Sequence, residues 1–172
     1  MDSIKDIGIN GSSPLFSTEG LSFTEFPSDY RNIRYFALLI VQNAPPEFKE
    51  LNLLEQQISE LIKNAVKHGN RNDPSKKVRV WHGFDADSAR LIVRDEGEGF
   101  RQLEEWNSFN RKRLECLHEQ NYEKLGDYVS FRTDCSDDTD GGNALFAALE
   151  YWNAGFCFDE TRTGVAMRRV FC

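Results

Sequence analysis

The sequence predicts an α+β fold: a two-layer α/β sandwich with a mixed, mostly antiparallel sheet and helices on one face. Three observations lead there. Apolar residues recur at helical spacing across Glu50–Gly69. Val78–Phe84 with Ala89–Gly97 reads as one hairpin, and Phe156–Phe171 as a final one with a turn near Asp159–Arg162. The order strand, helix, helix, hairpin, irregular segment, helix, hairpin contains few βαβ units, which argues against a parallel sheet.

Taken in order, residues 1–20 are rich in Gly and Ser and read as a flexible lead-in. A single domain is expected over 21–172. "LSFTEF" alternates apolar and polar, as a half-buried strand does. Ser28 or Asp29 can cap the following helix, whose buried face would include Ile33, Phe36, Ala37, Ile40 and Val41. Pro45 and Pro46 end it. The next helix carries Leu51, Leu54, Ile58, Leu61, Ile62, Ala65 and Val66 on one face, and Gly69–Asn70 suits a left-handed stop. From Arg101 to Asp140 the chain is polar and irregular, with one helical section around Asn110–Leu125. "GGNALFAALEYW" reads as a glycine-led helix.

Composition bounds the function. The chain of 172 residues is 40% hydrophobic and 28% charged, as a soluble globular domain is. No window approaches the ~18 apolar residues of a membrane span, and the N-terminus does not read as a secretory leader. A cytoplasmic location is expected. A net charge of −7 disfavours broad nucleic-acid binding. The four cysteines, Cys116, Cys135, Cys157 and Cys172, include no CxxC pair, which disfavours zinc.

Three patches carry chemistry. Glu60, Asn64 and His68 stand four apart on one stripe beside the apolar face. Asn is a poor helix-interior residue, so its amide oxygen here suits a hard cation, and a carboxylate one turn earlier suits a general base. "RDEGEGF" ends a strand in Asp95, which could accept from an exocyclic amine, beside Gly97 and Gly99, which would let a flat ring approach the backbone. "DGGNALF" puts glycines at a helix start, where free N–H groups suit phosphate. Alone, each has an ordinary reading: a solvated face, a glycine-rich turn, a helix start.

In this order the patches resemble the N, G1 and G2 boxes of the GHKL ATP-binding superfamily. "ELIKNAVKHG" is similar to ExxxNAxxHG and "DEGEGF" to DxGxGF. "TRTGVAMRRV" resembles the family's closing strand, and the likeness extends over about 20–171. Within the superfamily the chain looks most like bacterial anti-sigma-factor serine/threonine kinases of the sporulation and stress-response type. The resemblance implies the Bergerat, or histidine-kinase-like ATPase, fold, with ATP and Mg²⁺ as cofactors. Asn64 would ligate Mg²⁺, and Glu60 would be the catalytic base. Asp95 would read adenine, Gly97, Gly99 and Phe100 would shape its pocket, and Thr163 would bond near Asp95. Gly141, Gly142, Asn143, Ala144 and Leu145 would line the phosphates, with Lys67 and His68 near the nucleotide. It implies a sigma factor and an anti-sigma-factor antagonist as partners, and a homodimer through the first helix. The alternatives are a regulatory module of the same fold that does not catalyse, and a detached histidine-kinase-like ATPase domain.

Two features depart from the family pattern. Ala144 stands where a glycine is usual, and about 40 residues, Arg101–Asp140, separate the second and third patches. Within that lid segment Arg111, Lys112 and Arg113 could reach a triphosphate or form a solvated face. Asp137, Asp138 and Asp140 would repel it unless cations offset them.

Overall fold

The computed structural model describes residues 6–48, 50–128, 131 and 144–171. Its centre is a six-stranded sheet: β1 (Gly8–Ile9), β2 (Ser22–Pro27), β3 (Lys77–Phe84), β4 (Ser88–Arg94), β5 (Phe156–Phe158) and β6 (Gly164–Val170), in spatial order β1-β5-β6-β4-β3-β2. Every neighbouring pair is antiparallel except β1 with β5. The expected α+β sheet is therefore present, with both hairpins where the alternation predicts them.

The register assigns the faces. Val80 opposes Val93, His82 opposes Leu91, and Leu91 opposes Met167, so these side chains share the inner face. Helices α1 (Ile33–Val41), α2 (Leu51–Lys63) and α5 (Ala144–Tyr151) cover that face. Asp29 caps the single turn before α1, its Oδ1 accepting from the Arg31 N–H at 3.0 Å. On α2, Leu54, Ile58 and Ile62 have no exposed surface. Burial of each such side chain contributes about 1.5–3 kcal/mol, so the apolar stripe holds α2 to the sheet.

Three expectations are corrected. Residues 6–20 are part of the fold rather than a flexible lead-in. Ile7 is buried, β1 pairs with β5, and the turn Pro14–Phe16 crosses the outer sheet face. Small polar residues here serve turns: the Ser13 hydroxyl caps that turn by accepting from the Leu15 N–H. The helix expected around 110–125 is instead α3 (Leu103–His118), followed by the short α4 (Tyr122–Leu125). Leu103 and Trp106 sit in the core, and Trp106 stacks on Phe146 of α5 at 5.0 Å. That apolar anchor starts the helix early within a polar segment. Finally, the left-handed residues after α2 are Arg71 and Asn72 (φ 54° and 58°), while Asn70 is right-handed at φ −86°.

His82 is buried on the inner face, its Nε2 3.4 Å from the Thr24 hydroxyl, and desolvation lowers its pKa from the ordinary 6.5. A depressed pKa means stability that is present above the unfolded value and lost as pH falls through the folded one. His82→Leu should therefore flatten the loss of stability below about pH 6.5. Melting temperatures of wild type and variant across that range check this; parallel curves would contradict it.

Candidate functional site

The site grows from the end of α2. After Lys63 the helix continues as a π-helical turn, Asn64–Gly69, closed by the Asn70 N–H to the Ala65 carbonyl at 2.8 Å. A π turn takes in an extra residue, is rare, and frequently lies at a functional site. Asn64, Lys67 and His68 are all half-buried on it. Lys67 Nζ lies 6.0 Å from the Tyr30 ring centroid. Among the described residues the Asn64 amide and the Glu60 carboxylate have no hydrogen-bond or ion-pair partner.

Gly69 brings this turn against the end of β4. A Cβ on Gly69 would lie 2.4 Å from the Asp95 carboxyl carbon, and one on Gly97 would lie 2.0 Å from the Gly69 carbonyl oxygen. Gly99, at φ +88°, faces the Thr161 carbonyl in the same way. These glycines are required because protein segments meet there. At Gly97 and Gly99 the space that a Cβ would need is filled by the chain itself.

Asp95 is the titrating centre of this junction. Its Oδ1 accepts from the Gly97 N–H at 2.8 Å, and its own N–H donates to the Thr163 carbonyl at 3.1 Å. Among the described residues Oδ2 has no partner. Burial, opposed by the Gly97 bond and aided by the nearby Asp159 charge, pushes Asp95 up to about 6. The Thr163 hydroxyl, expected near Asp95, pairs with the Thr161 hydroxyl at 2.7 Å, and Thr161 bonds Asp159 at 2.9 Å. Phe100 packs its ring on Phe158 at 5.9 Å.

Asn70 locks the junction. It is fully buried, donating to the Ser28 hydroxyl at 2.7 Å and the Lys77 carbonyl at 2.9 Å, and accepting from the Glu96 N–H at 2.7 Å. One amide thus ties the helix end to the start of β3, the residue that follows β2 and the loop after Asp95. Its neighbour in sequence, Gly69, signalled a helix stop, which masked this role. Arg94 is the second residue not anticipated. It bonds the buried Asp159 at 2.5 Å and lies over the Phe16 ring at 5.5 Å.

The remaining expected residues are more scattered. Glu60 lines an open groove of about 430 Å³ between α1 and α2, with Tyr30, Arg34, Glu55 and Lys63 among its walls. Neither Asn64 nor any residue of the 95–100 loop lines it. Ala144 and Leu145 open α5. Gly141, Gly142 and Asn143 lie outside the described residues. Arg111 turns away to pair with Asp6, and Arg113 lies over the Phe146 ring at 4.8 Å.

Residues 23–146 match the histidine kinase-like ATPase domain family. The chain belongs to that family. ATP binding follows from this membership, and Asp95 Oδ2, without a partner among the described residues, fits it, since a half-buried carboxylate gains from an amine donor. Curated relatives include proteins named anti-sigma F factor. Those of Shouchella clausii (strain KSM-K16) and Anoxybacillus flavithermus (strain DSM 21510 / WK1) are each 29% identical over 85 residues, 49% of this chain and 58% of theirs. That of Geobacillus kaustophilus (strain HTA426) is 35% identical over 65 residues, 38% of this chain and 44% of its own. The chain thus spans between 44% and 58% of the length of these relatives. Among the described residues no helix is long and apolar enough to cross a membrane.

Two outcomes follow for this ATPase-family domain without ligand. Asn70→Ala should cost about 2–3 kcal/mol, because the Glu96 N–H and Lys77 carbonyl lose a buried partner; chemical denaturation measures it, and a cost near zero would contradict the lock. A raised carboxylate contributes stability that is full below its unfolded pKa of 3.8 and is lost as pH rises through about 6. Asp95→Asn should therefore be more stable than wild type above that pH, by roughly 1–2 kcal/mol after allowance for partial solvent exposure, and no more stable near pH 4. Denaturation at the two pH values checks the sign.

Proposed function

We propose that the chain binds Mg-ATP and transfers its γ-phosphoryl group to a serine or threonine of a protein partner, as a cytoplasmic anti-sigma-factor-type regulator. In this reading it sequesters a sigma factor and phosphorylates the antagonist that would release it. One observation carries the reading: a single helix presents Glu60 and Asn64 with no hydrogen-bond or ion-pair partner among the described residues, and its far end is pressed against a half-buried carboxylate at Asp95. Glu60 and Gly69 are separated by on the order of 13 Å along the helix. An extended nucleotide can span that distance, with its base at Asp95 and its phosphates toward Glu60.

The roles follow from each residue's chemistry. Asp95 Oδ2 accepts from the adenine amine, and its desolvation sharpens the choice of a donor over an acceptor. Gly97, Gly99 and Phe100 hold the pocket walls together, with Thr163 at the rim. Asn64 offers one neutral oxygen, which suits Mg²⁺, since this ion fills its remaining positions with phosphate oxygens and water. Bound there, the ion would supply charge neutralisation between the phosphates. Lys67 and His68 lie one turn further along. Gly141, Gly142, Asn143 and the first residues of α5, Ala144 and Leu145, complete the phosphate loop. Glu60 accepts the proton of the incoming hydroxyl, which would approach through the groove between α1 and α2. The outward face of α1, with Tyr35 59% and Leu38 45% exposed, supports a homodimer contact.

A second reading, a nucleotide-binding regulator that does not catalyse, is favoured by Glu60 opening onto a groove that shares no wall with the Asp95 loop. Label transfer from γ-labelled ATP to a cognate antagonist separates the two. The kinase reading expects acid-stable phosphate on the partner. It also expects Glu60→Ala to transfer about 100-fold more slowly or worse while still binding nucleotide. Equal transfer by wild type and Glu60→Ala would sink it, and no transfer by either would favour the second reading. In calorimetry, Asp95→Asn should weaken ATP binding at least tenfold, about 1.4 kcal/mol.

A further inference from the structure

The arm of residues 6–17 lies outside the segment that matches the family, residues 23–146. A simple cover for the outer sheet face would spread its contacts over the apolar residues there, such as Ile92 and Ala166. The arm does rest on that face, where the Arg90 guanidinium donates to the Ser17 carbonyl at 2.7 Å. Beyond that contact and the β1–β5 pairing, which the Asn10 N–H extends by donating to the Phe158 carbonyl at 2.8 Å, the arm reaches three elements around Asp95.

The first is α3, which begins three residues after Phe100. Ile7 and Asn107 exchange two hydrogen bonds: the Ile7 N–H donates to Oδ1 at 2.9 Å, and Nδ2 donates to the Ile7 carbonyl at 3.0 Å. Asp6 adds an ion pair with Arg111. The second is the β5–β6 turn. The Gly11 N–H donates to Glu160 at 3.0 Å, one residue before Thr161, whose carbonyl faces Gly99. The third is the strand that delivers Asp95. The Phe16 ring lies beneath the guanidinium of Arg94, the residue immediately before Asp95, and the same guanidinium holds Asp159.

We propose that the N-terminal arm is a positioning element of the nucleotide pocket, with Asn107 and Phe16 as the points through which it holds α3 and Arg94 against the Asp95 loop. The proposal rests on the ATP-binding reading above. Asn107 is satisfied on both its oxygen and its nitrogen by the backbone of one arm residue, Ile7, a two-point contact that fixes distance and angle together. Phe16 acts through Arg94: a guanidinium held over a ring can present a nitrogen to Asp159 without searching. Arm and pocket are then coupled, and coupling between two sites is reciprocal. If a docked arm favours the binding-competent pocket, nucleotide must favour a docked arm.

Two measurements on the full chain test this. Hydrogen exchange with and without a non-hydrolysable ATP analogue plus Mg²⁺ should show slower exchange in the peptide covering residues 6–17. Calorimetry with the same analogue should show Asn107→Ala and Phe16→Leu each weakening binding about 5-fold or more, within the usual range for coupled sites. Phe16→Tyr, which keeps the ring over Arg94, should restore wild-type affinity. A purely structural arm would leave the exchange of residues 6–17 unchanged by nucleotide, and Phe16→Leu, which keeps the apolar bulk, would bind as wild type does; either result overturns the proposal. Failure of wild type to bind the analogue would overturn the ATP reading itself and this proposal with it, whereas binding with no response in the arm overturns this proposal alone.

Discussion

Everything in the site depends on one close approach: the Gly69 carbonyl against the α-carbon of Gly97, with the Asp95 carboxyl beside Gly69. No side chain larger than hydrogen fits at either glycine without displacing backbone or carboxylate. Because the two segments meet without intervening atoms, the helix end itself walls in Asp95 and takes water from it. That desolvation is the largest cause of the raised Asp95 pKa. The geometry therefore sets both where the carboxylate stands and how strongly it favours a hydrogen-bond donor. Asn70 keeps the approach in register, since its amide is shared between the strands and loops on both sides.

The rest of the fold presses the same junction from outside. On the inner face, the apolar stripe of α2 holds the helix to β3 and β4. On the outer face, Arg94 is trapped between Phe16 and Asp159, which stiffens the strand end before Asp95. α3 is packed by Trp106 and Phe109 on Phe146 of α5, so the segment between the two glycine patches begins as a fixed helix. Its start is tied to the β5–β6 turn by Arg162, which bonds Glu104 and the Phe100 carbonyl. Ala144 thus opens a helix whose position is set by aromatic packing two residues along, at Phe146.

Much of this was legible in the sequence, for physical reasons that particular residues show. The α2 stripe repeats at three and four residues because one face is buried, so its period appears directly in the string. The two hairpins announce themselves by alternation, and the motif glycines at 69, 97 and 99 stand at fixed offsets from Asn64 and Asp95. What the glycines do was not legible, because a glycine that admits a ligand and one that admits another backbone look alike. The arm was hidden for a similar reason: its order comes from long-range partners, Asn107 and Arg94, rather than from local pattern. Asn70 was misread because a polar residue after a helical glycine is usually a stop, and only its three partners show otherwise. The early start of α3 was missed because two apolar anchors, Leu103 and Trp106, sit in a polar stretch with no clear period.

The central claim is that this junction and the helix leading to it form one nucleotide site, with the base at Asp95 and the metal at Asn64. A crystal structure of the full chain with Mg²⁺ and a non-hydrolysable ATP analogue tests it most directly. The account predicts the adenine amine within hydrogen-bond distance of Asp95 Oδ2 and a metal within coordination distance of the Asn64 amide oxygen. Adenine density away from Asp95, or a metal held without Asn64, would contradict it.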